Sequence, residues 1–466
     1  MVLKKVVSLS LAAIMACSLV GCSKSEDSTG SSEKVQISVG SWPDKNKKPE
    51  QYERYMQNKA KFEEKYPNIE IVPDSWNFAV DTFLTKAASN TLPTLFYLPF
   101  TEVDKVISAG YAADVTEYMK EYGYTDNMRE DLLDIVTRDG KIYMLPYKAY
   151  NMGLVVNKKL FKEAGLVDGE GYVTFPQTLD EMAQMAGKIK GKTGKAGFIM
   201  PTMNNSGGWH FTNIAWAFGA EFMKNEDGKW TATFDSPECV AALNYVKDLK
   251  WKYNALSDNL FIDNTEGKKM LSTYQGAMYF SALDSSLLNN LVVQNGMAKE
   301  DIAVGQLPEG EAGQFSLTGG SLYSFAPNST PEQLDAAFKW IKEIYGVTSD
   351  VDEEGKQTIY DSIMEDKENG IPIIPKVAFN IWKGGTKYET ENQYRSEMTD
   401  VDYKDYEQYY NYAGEIKSEE PVNAQELYTI LDSCLQEVIS NKDADSEALL
   451  KDAAQRFQND YLNNAN

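Results

Sequence analysis

The sequence predicts an α/β fold built as two lobes, and three observations carry that expectation. With 466 residues, the chain exceeds a single domain of roughly 100–200 residues. A βαβαβ rhythm runs between Val35 and Leu98, and a second α/β alternation starts at Lys141. A hydrophobic fraction of 42% beside 25% charged residues is enough to fill two ordinary cores.

Each element follows from its pattern. Val35-Gln-Ile-Ser-Val39 alternates apolar and polar as a strand does, and Tyr52, Tyr55, Met56 and Phe62 form a helical stripe over Pro49 to Tyr66. Ile69 to Val72 reads as a strand, Phe78 to Ser89 as a helix and Leu95 to Leu98 as a strand. Such alternation implies a parallel sheet with helices on both faces, and ligands of such sheets sit beyond the carboxyl ends of the strands. Asp139-Gly140 and Asp227-Gly228 are hairpin turn signals. Lys141 to Leu145 and Gly153 to Asn157 read as strands, and Lys158 to Ala164 as a helix that Gly165 ends. Further helices are expected at Leu179 to Ile189 and Pro237 to Lys252, and further strands at Gln275 to Phe280 and Ser321 to Phe325.

Composition excludes several functions. The 69 acidic against 46 basic residues leave a net charge of −23, which disfavours a nucleic-acid partner. His210 is the single histidine, so neither a Ser-His-Asp relay nor a histidine-rich metal site is expected. The fragment Asn204-Asn-Ser-Gly-Gly208 before it reads as an exposed loop, which puts Trp209 at a ligand edge and leaves His210 a structural or solvent-facing residue. Cys17, Cys22, Cys239 and Cys434 make no CxxC pair, and Cys239 and Cys434 are expected as buried free thiols.

Residues 1–21 read as a signal peptide, with Lys4 and Lys5 before the 15-residue apolar stretch Val6 to Val20, too short for a spanning helix of about 20 residues. Leu19-Val-Gly-Cys22 fits a bacterial lipobox, so Cys22 is the expected lipidation site and 22–33 a flexible tether. The expected location is the extracellular face of the bacterial cell membrane, held through the N-terminal lipid only.

Several stretches then carry a resemblance. Phe62-Glu-Glu-Lys-Tyr-Pro-Asn-Ile-Glu-Ile71, Ala109-Gly-Tyr-Ala-Ala-Asp-Val-Thr-Glu117, Gly140-Lys-Ile-Tyr-Met-Leu-Pro-Tyr147 leading to Gly153 through Gly165, Thr174 to Met182, Gln275-Gly-Ala-Met-Tyr-Phe280 and Gly319-Gly-Ser-Leu-Tyr323 occur in one order and spacing. Together they resemble the family 1 extracellular solute-binding proteins of carbohydrate ABC importers. The resemblance implies two discontinuous lobes of the maltodextrin-binding type, hinged by about three crossings. These are Pro146 to Tyr150, Leu317 to Ser321, and one near Ile371-Pro-Ile-Ile-Pro375. Lobe one would be 34–147 plus 318–375, and lobe two 148–317 plus 376–466. It also implies no catalysis, an oligosaccharide ligand, and ABC permease subunits and an ATPase as partners of a monomeric receptor. A peptide, polyamine or metal complex is the alternative ligand, and a surface glycoside hydrolase the alternative activity.

A pyranose offers a C–H face that stacks on aromatic rings and a hydroxyl rim that needs planar donors and acceptors. The 28 Tyr, 19 Phe and 8 Trp exceed what the cores need, so a ligand-stacking surface is expected among them. On the lobe-one side the candidates are Trp42, Trp76, Tyr97 and Phe100, with Asp44, Asp74 and Glu102 as nearby carboxylates. Opposite stand Tyr147, Trp209, Trp216, Phe280, Asp284 and Trp382, with Gly319, Gly320 and Ser321 at the second crossing. Trp42 leads because Ser41-Trp42-Pro43 leaves the first strand at its carboxyl end. Tyr403, Tyr406, Tyr409, Tyr410 and Tyr412 read as one face of an acidic helix. No cofactor is expected beyond a possible calcium ion: Asp350, Asp352, Glu354 and Asp361 match an EF-hand spacing, with Gln357 and Asp361 departing from it.

Overall fold

The computed structural model describes residues 34–464. The expected signal peptide 1–21, Cys22 and the tether 22–33 lie outside the described residues. Strand Val35–Val39 pairs in parallel with Ile69–Pro73 and with Leu95–Pro99, as the βαβαβ rhythm requires. Helix Pro49–Lys65 opens with Pro49, where a missing N–H costs nothing, and buries Phe62. Asp139-Gly140 has φ of 51° and 73°, and Asp227-Gly228 of 53° and 81°. Both pairs therefore form left-handed two-residue turns, which close the hairpins Thr137–Arg138/Lys141–Ile142 and Met223–Glu226/Lys229–Ala232.

The first two crossings differ from the expectation of strands broken by a connector. Met144–Asn157 is one strand of 14 residues and Phe315–Phe325 one of 11. They pair antiparallel from Thr318↔Asn151 to Ser324↔Met144, so the two crossings form one ribbon. Its register shifts between Ser321 and Leu322, which face Lys148 and Pro146 and leave Tyr147 unopposed. A bulge beside a proline that cannot donate is where such a strand tolerates it.

The ribbon is shared by two sheets. Phe315–Phe325 pairs Leu95–Pro99 on one side, while Leu154–Asn157 and Met152–Val156 pair Ile302–Gly305 and Gly276–Ala282 on the other. Strand Glu415–Ser418, which the sequence did not predict, adds in parallel to Phe315–Thr318. Two large hydrophobic clusters flank the ribbon. One gathers residues between Ile37 and Ala149 with Leu322 to Val347, and the other gathers Met152 to Leu317 with Leu427 to Leu462.

At the expected third crossing the chain is already on the second side. Ile374 packs with Tyr279 and Tyr406 on the second side, whereas Ile381 and Trp382 pack into the first cluster. Ile371 and Ile374 are drawn to the second side, while Ile373 packs with Ile363 and Met398 in a small separate cluster. After Pro375 the chain returns to the first side at Ile381 and Trp382 before Tyr406 packs on the second again, so Ile381 and Trp382 depart from their expected place in lobe two. Cys239 and Cys434 are buried free thiols. Among the described residues no helix is long and apolar enough to cross a membrane.

Candidate functional site

The ribbon forms the floor of a cleft. Tyr150 stands opposite Gly319 and Ala149 opposite Gly320. A Cβ on Gly319 would strike the Tyr150 hydroxyl end, and one on Gly320 would strike the Lys148 carbonyl and the Phe100 ring. Two glycines are therefore required where the aromatic rings lie against the backbone.

On one side of the ribbon a cavity of about 380 Å³ opens above Tyr150 and Gly320. Thr101 and Glu102 reach it from the 3-10 turn Phe100–Glu102, which follows directly on strand Leu95–Pro99. Facing them are Asn204, Asn205 and Trp209 at the start of helix Ser206–Ala217. Glu419 and Tyr428 close the far wall. The helix start is fixed by Asp432, whose carboxylate accepts the backbone N–H groups of Asn205 at 2.7 Å and Gly208 at 2.8 Å, a favourable place for an anion. Gly208 has no room for a side chain against the Tyr428 backbone. That close approach holds Trp209 half-buried, its ring edge-on to Tyr150 at 6.4 Å.

Electrostatics set this wall apart. Burial pushes the Glu419 carboxyl up to about 7, and it accepts the Tyr428 hydroxyl at 3.2 Å. Burial also raises Glu102, which is 7% exposed. Among the described residues no lysine, arginine or histidine lines this cavity. His210 lies behind it, fully buried, with Nε2 2.9 Å from Asn264 Oδ1. Its pKa is pushed down to about 3 by burial, so it is neutral and structural.

Across the ribbon lies a cavity of about 400 Å³ that includes Tyr147, Lys148, Asp284, Tyr345 and Trp382, and it shares Tyr150 with the first. Asp284 caps the short helix Ser285–Leu288 through the Leu287 N–H at 2.8 Å and pairs with Lys148 at 3.7 Å. The bulged Tyr147 stacks on Tyr323 at 4.2 Å, and Tyr97 and Tyr345 complete that aromatic group. Ser321 pairs Lys148 on the ribbon. Trp382, 6% exposed, stacks on Tyr124 at 6.0 Å.

Other expected residues lie elsewhere. Trp42 is a core residue, 3% exposed, between Tyr55 and Trp340. Ser41 has a φ of 57°, which turns the chain back after the first strand and sends the indole inward rather than toward the cleft. Asp44 is exposed and caps a turn at Asn46 and Lys47. Asp74 accepts the Trp76 N–H, and Trp76 packs on Phe78 and Phe96 behind the cleft edge that Phe78 forms. Phe280, 1% exposed, lies on a strand covered on both faces and packs on Phe198. Trp216 is buried beneath Lys417 at 4.8 Å.

The acidic segment is also corrected. Glu353–Glu368 is a helix capped by Asp352, with Asp361 bonded to Gln357, so the spacing lies on a helix instead of a twelve-residue loop. Among the described residues no group of three His, Cys, Asp or Glu is arranged to hold a metal ion. The tyrosine series is split between a 3-10 turn at Tyr403–Asp405 and a single helical turn at Glu407–Tyr410, with Tyr406 and Tyr409 buried.

Tyr150, Glu419 and Tyr428 were not singled out from the sequence. Tyr150 lay inside the expected first crossing. Glu419 follows a four-residue strand without a periodic signal.

Two α/β halves sharing a ribbon, with an aromatic and carboxylate cleft on its surface, are the build of a solute-binding protein. The chain belongs to the bacterial extracellular solute-binding protein family, whose model matches residues 45–347. It is 28% identical over 182 residues to the diacetylchitobiose binding protein DasA of Streptomyces coelicolor, covering 39% of this chain and 39% of DasA. It therefore spans about two fifths of that relative. Against the multiple sugar-binding protein of Streptococcus mutans it is 24% identical over 405 residues, covering 82% of this chain and 89% of that one. The cyclic alpha-maltosyl-1,6-maltose binding protein of Arthrobacter globiformis shares the fold with a TM-score of 0.62 at 21% identity, over 91% of this chain and 97% of that chain.

Proposed function

We propose that the chain captures a carbohydrate in the cleft above Tyr150 and hands it to the permease and ATPase of an ABC importer, as a monomeric receptor tethered outside the cell through lipidated Cys22. The observation that carries this is the make-up of one wall: the half-buried Trp209 and Tyr150 rings beside the Asn204 and Asn205 amides and the Glu102 and Glu419 carboxylates. Rings take the C–H face of a pyranose, while amides and carboxylates take its hydroxyls. Residues from both hydrophobic clusters line the cleft, so ligand favours the state in which the halves approach. The reading includes no chemical step, and bound oligosaccharide is released unaltered.

The absence of a basic residue from that cavity, among the described residues, favours one second reading, a polyamine. A thermal-shift screen separates them. Oligosaccharides are expected to raise the melting temperature, whereas stabilisation by spermidine or peptides and by no sugar overturns the carbohydrate reading.

A further inference from the structure

The largest cavity among those described, about 740 Å³, lies beside the cleft and shares Thr101, Glu102 and Gln425 with it. Its walls come from both sides of the molecule. Tyr143 belongs to the first cluster, whereas Trp230, on the hairpin Met223–Ala232, and Tyr461 pack against the second. Within the described residues, none of these three rings makes a side-chain hydrogen bond, so the Trp230 indole N–H and both phenol hydroxyls are available. Two cations line it beside acids: Arg138 is held by Asp104, and Lys105 lies near enough to Glu102 to favour its ionised carboxylate.

We propose that this cavity is the second arm of the ligand groove and that the ligand is an oligosaccharide longer than a disaccharide, its far units stacking on Trp230. The inference rests on the carbohydrate reading above. A hexose unit of about eleven non-hydrogen atoms fills roughly 170–220 Å³ at interior packing density. The cleft of about 380 Å³ holds about two such units, and the adjoining 740 Å³ has room for more. Unpartnered aromatic donors on both walls of a wide, open-ended groove are what a chain of neutral sugar rings needs, and a disaccharide would leave them unused.

Calorimetric titration with chito-oligosaccharides and malto-oligosaccharides of two to six units tests this. In whichever series binds, affinity is expected to rise by about tenfold or more between two and five units. Trp230→Ala is expected to remove that rise, with the loss confined to the longer probes. Because Trp230 also packs on the second cluster, Ser108→Trp serves as a second variant that fills the arm from the opposite, exposed wall. It should give the same loss at an unchanged melting temperature. Binding that is flat with chain length, or a length dependence that both variants retain, overturns the second arm and leaves the carbohydrate reading intact. No binding by any member of either series overturns both.

Discussion

Trp42 and Trp209 occupy formally similar places, each a few residues from a glycine at the edge of an α/β unit, yet the structure uses them in opposite ways. Trp42 follows Ser41, whose left-handed backbone folds the chain back, and its ring is sealed between Tyr55 and Trp340. Trp209 sits in the first turn of a helix whose glycines are pressed on Tyr428, so its ring remains at the cleft, edge-on to Tyr150. The difference teaches that a strand end faces a ligand only if the chain continues outward from it. One residue of left-handed backbone is enough to turn a binding aromatic into a core aromatic.

The sharpest test of that contrast is Trp42→Ala, which should destabilise the protein by about 3–5 kcal/mol, the usual result of emptying a large aromatic site, while the folded protein keeps its sugar affinity. Chemical denaturation followed by titration reads both. Trp42→Phe should cost much less, because the buried Nε1–H has no partner among the described residues to lose. Trp209→Ala should do the reverse. Affinity falls by about ten- to a hundredfold, worth about 1.4–2.8 kcal/mol, with a melting temperature within a few degrees of the parent.

Between these extremes lies Glu419, whose carboxyl is raised by burial to about 7 from an ordinary 4.5. The folded state then holds a proton that the unfolded chain releases, so this contribution is fully present below about pH 4.5 and is lost as pH rises to 7. Glu420, also raised to about 7, acts with the same sign from a neighbouring cavity. Glu419→Gln should therefore flatten part of the fall in melting temperature between pH 4.5 and 7, by about 2–4 °C. An unchanged slope would show that Glu419 is ionised and solvated in the folded protein. The smallest effect is expected from Lys148→Ala on the other side of the ribbon. Its pair with Asp284 spans 3.7 Å and Lys148 is exposed, so stability should change by less than about 1 kcal/mol.

Much of the fold was legible because local rules and tertiary packing agreed. The alternation in Val35 to Val39, the prolines that start the helices at Pro49 and Pro237, and the Asp-Gly hairpins all occur where the sequence places them. The crossings were harder to read. Pro146 and Gly319-Gly320 look like breaks, but the bulge at Tyr147 and the rings of Tyr150 and Phe100 absorb them into continuous strands. Of the site, Glu102, Trp209, Asp284 and Gly320 lie on the cleft or its far side, and Trp42 and Phe280 do not. The covering of both faces of its strand decided Phe280, and the left-handed turn at Ser41 accompanies the inward Trp42. Neither is written in residue type. Glu419 and Tyr428 were illegible because they come to the cleft through a four-residue strand and a distant helix, Ala424–Ser440.

The central claim is that the two halves close on a sugar held above the ribbon, and small-angle scattering of the chain at saturating oligosaccharide reads it most directly. The radius of gyration should fall relative to the free protein, and Trp209→Ala at the same ligand concentration should retain the larger value. A profile that stays unchanged while calorimetry shows the site to be filled would contradict it.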